Sequence, residues 1–213
     1  MYMDLLELEN KFKILGDNYK TKDLNNLNKI LIKEKINVSF LKDIVLERQE
    51  FHRTYFQVSL AQLKTIEEQY EFIENNFLLL NDWWHVDQLT QFLRKQDFQY
   101  SFNKAKTYIN HPHPFARRWG YVLFMPKLVK QKEALRLFEL FKNDNEYYVI
   151  MAEAWLISYL GTYYPDETYE YLLNCSLNYD IVGRGIQKIC DSFRISAEWK
   201  ERFKSIREKY KRK

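Results

Sequence analysis

The chain has 213 residues, 46% of them apolar, and a net charge of +4; that is enough apolar material for one sizeable domain. Its 5 Gly and 4 Pro are too few to turn a sheet-rich fold, and its two cysteines, Cys175 and Cys190, exclude a disulfide framework. No run approaches the roughly 18 apolar residues of a membrane helix, and the start, MYMDLLELENKFK, lacks a signal-peptide pattern, so a soluble, cytoplasmic monomer is expected.

Helical periodicity runs through the whole chain. Leu5, Leu6, Phe12 and Leu15 mark a first helix. Leu24, Leu27, Ile30 and Leu31 mark a second, with Thr21 as its cap; Phe40, Leu41, Ile44 and Val45 mark a third, capped by Ser39. Residues 52–79 read as two helices divided near Thr65. Further helices are predicted near 83–96, 100–109, 115–125, 130–142, 146–161, 166–176, 181–193 and 196–211. Breaks fall at Asn81-Asp82, at the HPHP run of 111–114, at 143–145 and at Pro165-Asp166. About a dozen helices, pairing every 30–40 residues or so without a linker, predict an all-α fold over residues 1–213 as one domain, either a helical-repeat solenoid or an irregular helical domain.

Charge is unevenly placed. Residues 199–213 carry eight Lys or Arg against two Glu, which leaves the rest of the chain at −2. Such a tail is either an electrostatic footprint for phosphate or a solvated last helix whose positive end suits the helix dipole.

Four stretches carry a resemblance: NDWWHVDQL at 81–89, HPFARRWGYVLFM at 113–125, YYVIMAEAWLISYL at 147–160 and GIQKICDSFRIS at 185–196. Together they resemble the DNA alkylation repair family of HEAT-like glycosylases. That family shows a Trp and an Asp in a W-x-x-V-D pattern, an Arg about thirty residues later, and a second Trp a further helix pair downstream. Here the pattern falls on Trp83, Val86 and Asp87, then Arg118, then Trp155. The resemblance covers about residues 75–205. It implies a HEAT-like α-α superhelix that grips duplex DNA by its backbone. It also implies hydrolysis of the N-glycosidic bond of cationic N3- or N7-alkylated purines, without base flipping. Asp87 would be the catalytic residue; Trp83, Arg118 and Trp155 would contact DNA, with Arg117 as a second candidate. Just upstream of Trp155, where family members carry Gln-Lys, this chain has Ile150 and Met151, with Glu153 close by.

The residue chemistry is compatible with those roles. A helix capped by Asn81 or Asp82 would bury Val86, Leu89, Phe92 and Leu93 and set Trp83, Asp87, Thr90 and Arg94 in a row along its flank. In such a helix Asp87 would also lie near the N-terminus, where the dipole favours an anion. A preorganised carboxylate stabilises positive charge developing on a sugar and can orient the attacking water. The Trp83 face offers a surface for the sugar or a cation, and the arginine fork suits phosphate. In the other helix Ala152, Leu156, Tyr159 and Leu160 form the core stripe, with Trp155 at its edge. His111 and His113 are separated by Pro112, so they read as a turn, and neither metal nor cofactor is expected. Two other readings remain open at this level: a non-catalytic HEAT-like DNA-binding protein, and a protein-interaction solenoid.

Overall fold

The computed structural model describes residues 3–211, and among them every regular element is helical, with no strand. None of these helices is long and apolar enough to cross a membrane. The chain divides into two compact units, Met1–Lys95 and Gln96–Lys213.

The first unit holds α1 (Leu5–Leu15), α2 (Thr21–Lys33), α3 (His52–Gln62), α4 (Ile66–Glu74) and the short α5 (Trp83–Asp87). Side chains start most of these helices. Asp4 accepts the Glu7 N–H, and Thr65 and Glu68 form a reciprocal capping box. At α2 the cap differs from the expectation: Thr21 is already helical, and Asp23 reaches back to the Lys20 N–H at 2.9 Å. Helix α3 packs on α2 and is buried nearly all round, so even His52 and Thr54 are inside with Phe51, Phe56, Val58 and Leu60.

Two expected helices of this unit are cut short. The segment around Phe40 forms only a 3-10 turn, Ser39–Leu41; Ser39 is its first residue, Val38 holds the cap position and no side chain caps the turn, so Ser39 is not a helix cap. The helix expected over 83–96 stops at Asp87 and continues as a 3-10 turn, Gln88–Gln91. The row running from Trp83 to Arg94 therefore does not form. Arg94 turns away and donates from Nε and Nη2 to the Leu63 carbonyl. Asp87 is the last residue of a five-residue helix, so a helix dipole does not stabilise its charge. Val86, Leu89 and Leu93 are buried as expected, and Phe92 is half-buried.

The second unit holds α6 (Phe98–Tyr108), α7 (Pro114–Val122), α8 (Tyr147–Tyr163), α9 (Pro165–Asn174), α10 (Tyr179–Asp191) and α11 (Ala197–Lys211). Proline opens α7 and α9, where its missing N–H costs nothing. The segment expected as a helix over 130–142 is a 3-10 run, Lys132–Leu140. Helix α8 is the hub, packed against α7, α9 and α10. It approaches α10 closely because glycine lies at both sides of the contact. A Cβ on Gly185 would stand 2.7 Å from Ile157 Cγ2, and one on Gly161 would stand 2.5 Å from Ile189 Cδ1. Ile157, Ile181, Ile186, Ile189, Phe203 and Ile206 form the core beneath them.

The basic C-terminal segment is largely an ordered, packed helix. Helix α11 buries Phe203 and Ile206, lays Arg202 over the Trp199 ring at 3.9 Å and pairs Lys204 with Glu201. Arg212 and Lys213 lie outside the described residues.

Candidate functional site

Asp82 caps α5 by accepting the Trp83 N–H at 2.6 Å, and this sets the indole at the surface. Trp83 is 48% exposed. Asp87, one helical turn later, is half-buried. Both line one open cavity of about 600 Å³ in the first unit, together with Tyr19, Arg53, Trp84, Gln88 and Gln91. The expected pairing of an indole and a carboxylate on one surface is therefore present, although it rests on a single helical turn.

Beneath that surface lies a polar network that the sequence reading missed. Arg53, in the first turn of α3, is only 9% exposed. Its Nε donates to Asn25 Oδ1 at 2.9 Å, its Nη1 to Gln88 Oε1 at 3.0 Å and its Nη2 to Gln91 Oε1 at 3.1 Å. Its guanidinium also lies 4.8 Å from the centre of the Phe92 ring. Gln88 is oriented from behind. Its amide N–H can only donate, so His52 Nδ1 accepts it at 3.0 Å, and the proton on His52 Nε2 is given to the Leu79 carbonyl at 3.0 Å. That chain fixes the His52 tautomer and turns the Gln88 oxygen toward Arg53.

His52 also stacks on His85, with ring centres 3.4 Å apart and planes 7° from parallel. Two such rings at one spot cannot both carry charge. Burial pushes His52 down to about 3, reinforced by the neighbouring His85. Burial likewise pushes His85 down to about 4, against the opposing pull of Asp82. Both are neutral at pH 7. Burial lowers the Arg53 guanidinium as well.

Arg117 and Arg118 belong to the second unit. The Arg117 fork closes on Asp144, with Nε to Oδ2 at 2.6 Å and Nη2 to Oδ1 at 3.1 Å, while its Nη1 donates to the carbonyls of His111 and Pro112. It is a clamp that ties the HPHP turn to the start of α8. Arg118 is 4% exposed, and its Nη1 donates to the Tyr148 carbonyl at 2.6 Å. Both arginines thus hold protein groups, and a phosphate at either would meet a guanidinium already engaged.

Trp155 is half-buried on the edge of α8, as expected, with the Tyr159 ring 6.0 Å away. It lines a second cavity, of about 380 Å³, with Tyr159, Lys188, Asp191, Phe193 and Arg194. Phe193 is 90% exposed, with Arg194 5.7 Å from its ring centre. The carboxylate expected near this surface, Glu153, faces inward instead. It is fully buried, takes the Lys142 N–H at 2.9 Å and the Tyr121 hydroxyl at 3.2 Å, and burial pushes its pKa up. Glu153 is thereby removed from the Trp155 surface, where Asp191 is the acid of the lining and Lys188 and Arg194 supply cations that local sequence around Trp155 does not reveal. The chain matches no family model, no curated protein and no solved structure.

Proposed function

We propose that this chain is a DNA glycosylase of the HEAT-like helical-repeat type, acting on cationic N3- or N7-alkylated purines in duplex DNA. The observation that carries the reading is the exposed Trp83 indole and the Asp87 carboxylate on the wall of one open cavity. In the second unit, the packing of α8 on both α7 and α10 supports a repeat architecture. The Trp155, Lys188 and Arg194 surface has the aromatic and cationic chemistry that a nucleic-acid backbone needs.

The alkylated purine is already positively charged, so it leaves as a neutral base, taking the electron pair of the N-glycosidic bond. Positive charge then develops on the sugar, where the Asp87 carboxylate stabilises it. Asp87 also orients a water whose oxygen bonds to the anomeric carbon, and the water's proton passes to the carboxylate and on to solvent. The Trp83 face shelters the sugar.

A second reading, a DNA-binding protein of the same architecture that excises nothing, is favoured by the Trp155, Lys188 and Arg194 surface, whose aromatic and cationic groups suit a backbone contact that needs no catalytic carboxylate. Incubating the protein with methylated duplex DNA separates the two. The glycosylase releases 7-methylguanine or 3-methyladenine and loses that release in Asp87→Asn; salt-sensitive binding with no released base selects the second reading.

A further inference from the structure

A buried guanidinium is normally neutralised by a carboxylate, because an isolated charge is costly to take out of water. Arg53 is an exception. Among the described residues no carboxylate lies within ion-pair distance of it. Its three hydrogen-bond acceptors, Asn25, Gln88 and Gln91, are neutral amides, and the Phe92 ring softens its charge without cancelling it. Three of the five guanidinium N–H groups are used, and two remain for a ligand. The same side chain lines the cavity of about 600 Å³.

Two acids share that cavity's lining. Glu50 is held by Arg48, with Nε 2.6 Å from Oε1, and Asp87 lies on the wall formed by α5. Neither supplies the counterion. The fork is also rigidly aimed, since the line from the Leu79 carbonyl through His52 and Gln88 leaves one orientation for the amide that holds it. Arg53 further sits in the first turn of an eleven-residue helix, where the dipole adds positive potential.

We infer that Arg53 is the receptor for a phosphate group in the cavity bearing Trp83 and Asp87, its two remaining N–H groups taking two phosphate oxygens. A guanidinium is suited to that bidentate contact. As the anchor of a DNA phosphodiester beside the reacting sugar, the assignment rests on the glycosylase reading; a free phosphate would use the same two N–H groups.

The test has two arms, each using the full-length protein and following tryptophan emission. In the first, inorganic phosphate is titrated at constant ionic strength. Saturable binding is expected, weakened about tenfold or more in Arg53→Gln and severalfold in Arg53→Lys, which keeps the charge but loses the fork. In the second, a duplex bearing a tetrahydrofuran abasic site is titrated over a range of salt. Loss of one phosphate contact lowers the salt slope by about one in Arg53→Gln.

A response in both arms assigns the site to the DNA backbone. A response to phosphate alone keeps the site and assigns it to a free phosphate. No saturable phosphate binding by the unaltered protein, with an unchanged slope in the variant, overturns the inference. If Arg53→Gln does not fold, Arg53→Lys decides, and an unchanged phosphate affinity overturns it. Base release is scored separately. Intact phosphate binding without base release removes the glycosylase reading only, whereas base release with both arms indifferent to Arg53 removes this site only.

Discussion

Acidification should destabilise the first unit as the pH falls below about 6.5. In the folded chain His52 takes up a proton only near pH 3 and His85 near pH 4, whereas both ordinarily do so near 6.5. Between those values the unfolded chain binds more protons, so stability is complete above about pH 6.5 and falls as the pH drops through that window. At pH 5 the unfolded His52 is protonated and the folded one is not. At about 1.4 kcal/mol per unit over about 1.5 units, that imbalance costs about 2 kcal/mol, with His85 adding in the same direction. The assay is urea unfolding at pH 7.5, 6.5, 5.5 and 5, compared with His85→Phe. Phenylalanine keeps a flat ring against His52 but removes one titrating group. Its stability should therefore fall less steeply, by close to one proton in the pH slope. Parallel curves for the two proteins would refute the stacked neutral pair.

Further outcomes follow from other contacts. Gly185→Ala places a methyl against Ile157 Cγ2 and should lower stability by about 1–3 kcal/mol, read by the denaturant midpoint; an unchanged midpoint would mean that α8 and α10 are not in such close contact. Lys188→Ala and Arg194→Ala should each weaken duplex binding across all sequences and reduce the salt slope by about one if they contact backbone phosphates.

The helical character of the chain was readable because apolar residues recur at helical spacing and glycine and proline are scarce, so α1, α2, α4 and α8–α11 fall close to where periodicity puts them. Helix length at α5 was not readable. Val86, Leu89 and Leu93 keep a helical period, yet the chain tightens to a 3-10 turn after Asp87, where Gln88 and Gln91 turn to Arg53. That tertiary demand leaves no mark in a hydrophobic pattern. Lys132–Leu140 shows the same limit, since its amphipathic spacing suits a 3-10 run as well as an α-helix.

At the site, Trp83 and Asp87 were legible as a pair four apart on one helix, although not that the helix ends at Asp87. Arg53 was not, because its partners Asn25, Gln88 and Gln91 are 28, 35 and 38 residues away. The fates of Arg117 and Arg118 were equally hidden, being decided by Asp144 and the Tyr148 carbonyl across a connection of about thirty residues. Glu153 shows why helical phase matters at a surface: two positions before Trp155, it lies on the buried side of α8, hydrogen-bonded to Tyr121.

The role proposed for Asp87 is to stabilise the sugar beside Trp83 as an alkylated purine departs. Single-turnover release of 7-methylguanine and 3-methyladenine from methylated duplex DNA tests it most directly, with Asp87→Asn compared at equal DNA occupancy. Release by the unaltered protein is expected, with a loss of about a hundredfold or more in the variant, the scale on which removing a preorganised charge-stabilising group acts. Equal release by both proteins, or none by either, would contradict it.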